Sequence, residues 1–539
     1  MTAVPLPAAD RPAMSHREVL EAMSGLLLGL FVAILSSTVV SAALPRIITD
    51  LGGGQSSYTW VITSTLLALT VSTPVWGKLA DLLNRKRLVQ SALVIYAVGS
   101  VLAGASQSTS WLIACRVLQG LGAGGMTALT QVILSDLVSP RERGRYMGLL
   151  GAVMAVGTVA GPLLGGVITD GIGWRWCFYV GVPIAVAAIV VLQRTLHLPQ
   201  RKRDAHIDIP GVILISSGVS VLLIWISFAG TQFDWASWQT AVMVIGGILL
   251  LVAAVQVEKR SREPLIPLHL FGDRTVVLAV IASIAVGVAM FGTSTFLSQY
   301  MQIARGKSPT ASGLLTIPMV LGVMIASTVF GQIISRTGRY KRFMLVGTAL
   351  LTVGLALMGT LDEKTSLVEL GLFMAMVGFG IGMVMQNLVL VVQNSVSFRE
   401  MGAGSALIAF FRSLGGAAGV SALGAVLSSR VTSSIADGLA GLGMKGGALA
   451  SGTGTLPDVN ALPGPVRAVV EHGYGTGVGE IFLAAAPMGV IAFIAVALLK
   501  EVPLGTISGV EAASLEERGD DGAAAAGRAR EPEPVSAGD

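Results

Sequence analysis

The sequence predicts an all-α membrane protein, and its composition and apolar pattern both support that fold class. Of its 539 residues, 53% are hydrophobic and only 12% are charged. A soluble domain carries about 25% charged residues. Long apolar runs recur along the chain, and a helix needs about 20 apolar residues to cross the hydrocarbon core of a bilayer. Backbone groups inside lipid must bond to one another, so each run is predicted to be helical.

Fourteen apolar runs are candidate membrane spans. They cover residues 23–44, 59–80, 88–105, 110–134, 146–169, 177–194, 209–229, 238–257, 276–301, 311–334, 343–361, 367–393, 402–427 and 479–499. The first run is longer than the apolar segment of a signal peptide, so no cleavable signal is predicted. Two further segments read as non-membrane. Residues 428–478 are Gly-rich with three prolines and predict a loop, and 506–539 predict a disordered tail.

The Lys and Arg residues predict how the spans are oriented. If both termini are cytoplasmic, 26 of the 36 Lys and Arg residues lie in cytoplasmic segments and 8 lie in external ones. Cytoplasmic loops of membrane proteins are enriched in these residues. We therefore expect a multi-pass protein of the cell (inner or plasma) membrane with both termini cytoplasmic and the 428–478 loop outside. The net charge of +5 is spread in short clusters, so no nucleic-acid partner is predicted.

Arg116 lies inside a predicted span, where a charge is energetically costly. A charged side chain at the centre of a membrane helix costs ~2.5 kcal/mol or more. A long basic side chain near a helix end can instead reach the interface. Uncharged residues flank Arg116 on both sides, as far as Asp136 in one direction. We therefore predict that Arg116 has a functional role.

A basic turn joins the second and third spans in the segment GKLADLLNRKRL. Gly77 permits close helix approach, Asp81 is an acid near the membrane edge, and Arg85 and Lys86 belong to the basic turn. The segment could also be an ordinary positive anchor at the cytoplasmic surface. A related segment, GQIISRTGRYKR, occurs later with Ser335 in the place of Asp81. Such repetition is typical of transporters built from two duplicated bundles.

Glycine patterns mark the fourth and fifth spans. Gly120, Gly122 and Gly125 formally match a dinucleotide-binding pattern, but no strand precedes them and they lie in a membrane span. We interpret them as helix-packing positions. In the fifth span, GTVAGPLLGG places glycines at four-residue intervals on one helix face, and its proline removes a backbone donor and bends the helix. The residues of this predicted movable face are Gly157, Gly161, Pro162, Gly165 and Gly166.

Together these motifs resemble the major facilitator superfamily. Gly77–Leu88 is similar to its loop signature, with Asn84 where a glycine is usual; Asn tolerates positive φ, so we expect the turn to be kept. Arg116-x-x-Gln119-Gly120 is similar to the fourth-span signature. The Gly161-Pro162 pattern is similar to the fifth-span signature of antiporters. The fourteen spans, together with WRWCFYVGVP and FFRSLGGAAGVS, resemble the fourteen-helix drug:proton antiporter branch, whose bacterial members export drugs and antibiotics.

The resemblance implies an architecture and site residues. It implies two six-helix bundles (23–194 and 276–500), a linker with two extra spans (195–275), a cytoplasmic N-terminus (1–22) and a cytoplasmic tail (501–539). By the same resemblance, Arg116 takes part in proton coupling. Gly77, Asp81, Arg85 and Lys86 form a cytoplasmic gate. The substrate lies in a cavity between the bundles at mid-membrane. The protein is expected to be a monomer.

The chain departs from this branch at one acid. The branch usually has an Asp in the first span, where this sequence has Ser36. No Asp or Glu lies deep in any predicted span. We therefore expect a neutral, weakly anionic or singly charged substrate that is largely apolar, and not a lipophilic dication. Polar residues predicted to be available in the cavity are Ser36, Thr38, Gln119, Gln299, Gln386, Asn387 and Arg412.

These observations favour a proton-driven exporter over three alternatives. A proton-coupled importer or facilitator of a small nutrient could use the same fold. The chain contains no phosphate-binding loop, which argues against an ATP-driven exporter. No metal cluster, nucleophile–base pair or catalytic domain is evident, so neither an enzyme nor a cofactor is predicted. The proton gradient is the expected energy source. Arg outnumbers Lys in a composition typical of high-GC bacteria, which favours an antibiotic-like substrate.

Overall fold

A computed structural model describes residues 16–52, 55–138, 140–196, 209–229, 233–261, 268–307, 309–397, 400–443 and 462–502. The predicted tail beyond 502, most of the predicted N-terminus and the centre of the predicted 428–478 loop lie outside the described residues. Thirteen of the described helices are long and apolar enough to cross a membrane. A shorter apolar helix covers Pro210–Ile226. The predicted all-α membrane fold is confirmed.

The described α-helices fall into two halves and a linker. The first half contains α1 (His16–Asp50), α2 (Gln55–Leu82), α3 (Arg85–Gly104), α4 (Thr109–Leu137), α5 (Pro140–Gly171), α6 (Trp176–Tyr179) and α7 (Gly181–Thr195). The linker contains α8 (Ile209–Phe228) and α9 (Trp238–Glu258). The second half contains α10 (Arg274–Gln299), α11 (Pro309–Leu315), α12 (Ile317–Thr337), α13 (Lys341–Met358), α14 (Leu367–Ser395), α15 (Met401–Gly441) and α16 (Gly464–Leu498).

Three predicted elements differ from the structure. The predicted spans 177–194 and 311–334 are each divided into two helices, α6 with α7 and α11 with α12. Pro318 lies in the first turn of α12. It cannot donate the backbone hydrogen bond that would continue α11, so a new helix begins there.

The third difference is the predicted 428–478 loop, whose two ends are helical. α15 continues to Gly441 and α16 begins at Gly464. Apolar residues at four-residue spacing on α15 are buried in one core with residues of α16: Val431, Ile435 and Leu439 with Val466 and Val470. The 41 residues of α15 extend about 62 Å at 1.5 Å per residue, twice the ~30 Å of a bilayer core. Mutual burial of these apolar faces explains why both helices continue.

The two halves repeat one packing pattern. In the first half, α1 packs on α5 and α7, and α4 packs on α2 and α3. In the second half, α10 packs on α15 and α16, and α14 packs on α12 and α13. With the divided helices counted once, each half is a bundle of six spans, and the two bundles have the same arrangement.

Equivalent glycines maintain the close packing of α4 and α14. A Cβ atom added to Gly120 or Gly124 would meet the backbone of α2, and one added to Gly122 would meet α3. On α14, Gly378 and Gly382 meet α12 in the same way, and Gly380 meets α13. This Gly-x-Gly-x-Gly pattern is therefore a second sequence repeat, in addition to the basic segments that begin at Gly77 and Gly331. It sets the correspondence between the halves.

The halves meet through exchanged pairs of helices. The second helix of the first half, α2, packs on α15, and the fifth helix, α5, packs on α12. Gly77 of α2 lies against Ala406 of α15, and Gly148 of α5 lies against the Ser327 carbonyl of α12. This exchange is what a two-fold axis between two similar bundles produces. The linker helix α8 packs across the α2–α15 pair.

Candidate transport site

Arg116 is buried in the first half and is held by uncharged oxygen atoms. Its side chain is 3% exposed. Its Nε donates to the Val61 carbonyl of α2 at 3.3 Å, and its Nη1 donates to Gln119 Oε1 at 3.1 Å. Gln119 lies one turn further along α4, on the same helix face. Among the described residues, no carboxylate forms an ion pair with Arg116.

The contacts of Arg116 continue to α3 and α1. Gln119 Nε2 donates to Ser100 Oγ at 2.8 Å, and Ser100 donates to the Tyr96 carbonyl. The Tyr96 hydroxyl donates to the Val32 carbonyl of α1 at 3.3 Å and lies near Ser36 and Arg116. Ser36 is 3% exposed, and its hydroxyl makes no hydrogen bond of good geometry. The position of the missing first-span acid therefore belongs to the surroundings of Arg116.

The predicted gate residues lie on the side of the bundle that carries the α2–α3 and α4–α5 connections, here called the basic face. Arg85 forms an ion pair with Asp136 at the end of α4 and donates to the Ala80 carbonyl at 2.8 Å. Lys86 donates to the Gln193 carbonyl near the end of α7 at 2.8 Å. Gly77 of the predicted gate contacts Ala406 of the other half. The Asp81 side chain is outside the described residues.

The turn at Asn84 does not use the positive φ that we expected to be available there. Asn84 has φ −65° and ψ 109°, and its side-chain oxygen accepts a hydrogen bond from Arg87 N. It therefore acts as the N-cap of α3. The matching residue of the second half, Gly338, has φ 68° and ends α12 in the left-handed conformation. The two copies of the motif thus turn in different ways.

The glycine face of α5 packs against α1. Gly157 lies against Ile34, and Gly161 lies against Thr38. The Thr38 hydroxyl donates to the Gly157 carbonyl at 3.0 Å. The Gly165 carbonyl lies 3.9 Å from Cys177 Sγ, and Gly166 is half-buried. α5 continues through Pro162. The contacts of Gly157 and Gly161 show that the predicted glycine face packs closely against α1 within the first half.

A polar contact joins the two halves near the basic face. Gln393 of α14 donates to Ser405 Oγ of α15 at 2.6 Å and to the Gln131 carbonyl of α4 at 3.4 Å. Gln393 and Ser405 are both buried. Together with the Gly77–Ala406 contact, this layer brings the halves together at the basic face.

Four other predicted cavity residues belong to the second half, at different depths. Gln386 of α14 donates to Met154 Sδ of α5 at 3.5 Å, so it bridges the halves. Asn387 instead donates to the Met383 carbonyl of its own helix. Gln299 lies at the far end of α10, where a π-helical turn, Tyr300–Ala304, follows. Arg412 of α15 is buried, and its Nη1 atom has no hydrogen-bond partner in the described part of the chain.

The comparisons with known proteins agree with this architecture. The family model described as Major Facilitator Superfamily matches residues 26–420. An uncharacterized transporter of this type from Mycobacterium tuberculosis is 38% identical over 90% of this chain and 70% of its own length. The multidrug transporter protein MdtP of Bacillus subtilis is 35% identical over 77% of each chain. The proton:xylose symporter XylE has the same fold, with a TM-score of 0.61 at 13% identity over 93% of this chain and 100% of its own. The chain belongs to the major facilitator superfamily.

Proposed function

We propose that this chain is a drug:proton antiporter of the fourteen-helix branch. Proton influx would drive the export of a hydrophobic, neutral or weakly charged, antibiotic-like compound and so confer resistance. The basic face would be cytoplasmic, and the site would lie between the halves. The multidrug relatives and the antiporter-like glycine face of α5 support export over import.

Exchange of helices between the halves supports a rocking mechanism. Alternating access in such folds is largely the rocking of one bundle against the other around a fixed midplane site. Contacts at Gly77–Ala406 and Gln131–Gln393 bring the halves together at the basic face. Small side chains and single hydrogen bonds at these contacts can separate at low cost.

The observation that carries proton coupling is the charge of Arg116 inside the first half. Its described partners are a backbone carbonyl and an amide, which do not neutralise the charge. In a medium of low dielectric constant, such a charge acts strongly on protons bound nearby. Rocking of the bundle would change the exposure of the Arg116 surroundings to water. The affinity for protons of groups near Arg116 would change with it.

The test is a susceptibility panel in a pump-deficient bacterial host with and without a protonophore. We expect expression to raise the tolerated concentration of one or more hydrophobic antibiotics, and we expect the protonophore to abolish that increase. An inactive R116A form is the control for expression load. Protection that survives the protonophore would refute proton coupling. Gradient-dependent accumulation of a compound in the cells would support the importer instead.

A further inference from the structure

Arg412 carries a buried charge, and one of its donor nitrogen atoms is left unsatisfied by the described part of the chain. The residue is 4% exposed, and its Nη1 atom makes no hydrogen bond in the described part of the chain. No described Asp or Glu forms an ion pair with it. An arginine side chain cannot lose its proton in a protein, so it cannot become neutral by titration. A buried, unpaired guanidinium is costly and requires a compensating group in some state of the protein.

Helix spacing places Arg412 one layer deeper than the contact at the basic face. Arg412 lies seven residues, or two turns, after Ser405 on α15, and Gln386 lies two turns before Gln393 on α14. Because Gln393 and Ser405 are bonded to each other, Gln386 and Arg412 follow them on the same two helix faces. Two turns raise this second layer about 11 Å above the first, toward the middle of the membrane.

The correspondence between the halves gives the same position for Arg412. Gly157 and Gly161 of α5 face Ile34 and Thr38 of α1, and Gly415 and Gly419 of α15 face Ile284 and Val288 of α10. In this register Arg412 corresponds to Met154. Met154 contacts Gln386 of the opposite half. By symmetry, Arg412 is directed toward α4 of the first half, and α4 and α15 are in contact.

Other polar atoms near this layer also lack partners. Gln386 Oε1 is buried without a hydrogen-bond donor, and so are Thr130 Oγ1 and Gln131 Oε1 of α4. All three oxygen atoms can accept a hydrogen bond, and none carries a charge that could balance Arg412. This layer therefore contains the unpaired Nη1 donor of Arg412 and the unpaired Oε1 acceptor of Gln386, and two further unpaired oxygen atoms lie on α4 toward the basic face.

We propose that Arg412 binds the acidic group of the exported compound, which is an amphipathic organic anion with one carboxylate or phenolate. The acidic oxygen would accept from Arg412, and Gln386 Oε1 would accept from a hydroxyl or amide N–H of the same compound. This inference rests on the proposed export function, and it narrows the substrate from neutral or weakly charged to anionic. A cation would be repelled at this position.

Equilibrium binding to the purified full-length protein in lipid nanodiscs tests the proposal. The probes are pyrenebutyrate, pyrenebutyramide and pyrenebutylammonium, which share one apolar body and differ in charge. We expect the wild type to bind the anion most tightly, and we expect R412Q to weaken that binding ~10-fold or more, since a charge-assisted hydrogen bond is lost. Binding of the amide should be unchanged. R412K should retain part of the preference.

The control is R430Q on the same helix, where Arg430 is exposed and paired with Glu480. Thermal unfolding separates binding from a structural role. R412M removes an unpaired charge, so the ligand-free variant should melt at or above the wild-type temperature, and pyrenebutyrate should stabilise only the wild type. A large fall in melting temperature for R412M, or equal binding of the three probes by the wild type, would overturn the anion site.

Transport assays keep this result separate from the proposed function. Proton-driven export of the amide together with Arg412-independent binding of the anion would refute the anion site and leave the antiporter standing. Arg412-dependent binding of pyrenebutyrate without proton-driven export of any probe would support the anion site and refute the antiporter.

Discussion

The two halves of the protein have the same packing, but each holds its buried arginine in a different place and in a different state. In the shared register, Arg116 of the first half corresponds to Met374 of the second, and Arg412 of the second half corresponds to Met154 of the first. Each half thus has a methionine where the other has an arginine. Shared glycines preserve the fold, and the exchanged residues distinguish the two bundles.

The state of the two arginines differs as much as their position. Arg116 has two oxygen partners inside its own bundle, so its charge is fixed in the first half. The Nη1 atom of Arg412 has none, and the symmetry of the halves directs Arg412 toward α4 of the first half. A guanidinium that its own bundle holds in place is suited to act on nearby protons. A guanidinium with an unsatisfied donor is suited to bind a ligand. We therefore propose that the first half couples transport to protons and that the second half recognises the charge of the substrate.

The largest expected effect comes from making the first half resemble the second at Arg116. R116M introduces the residue that the second half has in this register, so insertion and folding should be preserved. We expect proton movement driven by substrate to be abolished in everted vesicles, because the buried charge is gone. The control is M374L in the second half, which should transport normally. Normal coupling by R116M would show that the fixed charge has no part in energy coupling.

A smaller effect is expected at the Arg85–Asp136 ion pair of the basic face. Asp136 is paired with Arg85, and the corresponding residue of the second half is Asn394. D136N should reduce stability by about 3 kcal/mol, because removal of one partner leaves a nearly buried charge. The bond from Arg85 to the Ala80 carbonyl limits the loss. Thermal unfolding against D234N, a change of equal charge at an exposed position, provides the measurement. An unchanged melting temperature would mean that the pair adds nothing.

Much of this arrangement could be predicted from local sequence. Arg116 and Gln119 are three residues apart, so their contact follows from helix geometry alone. The seven-residue spacing of Ser405 and Arg412 was equally visible. The Val61 carbonyl and Asp136 could not be predicted as partners, because they reach their arginines only through packing of separate helices. The lack of a hydrogen-bond partner for Arg412 Nη1 could not be predicted either, because it depends on the residues that neighbouring helices place around it.

The two ends of the predicted 428–478 loop show a different limit. The glycines and prolines of this segment indicate a loop, but its first residues also carry a helical pattern. Val431, Ile435 and Leu439 follow the four-residue spacing of a buried helix face. That spacing identifies a helix only when a partner such as Val470 of α16 is available to cover it.

The smallest expected effect tests whether the missing first-span acid is the reason why dications are expected to be poor substrates. Ser36 is buried beside Tyr96, within the surroundings of Arg116. S36D would place a carboxylate near a guanidinium that now has only uncharged partners, and the pair would form at the cost of burying a second charge. The net charge of the Arg116 surroundings would then be close to zero, and their repulsion of cations would fall.

We expect the wild type to protect cells weakly against dicationic dyes and S36D to raise the tolerated dye concentration up to ~10-fold, the equivalent of about 1.4 kcal/mol. S36N is the matched control, since it has nearly the same size and no charge. Equal protection by S36N would assign the effect to volume. Strong protection by the wild type itself would show that the site accepts dications without a first-span acid. In that case the unpaired Arg412 could not lie in the path that those dyes take.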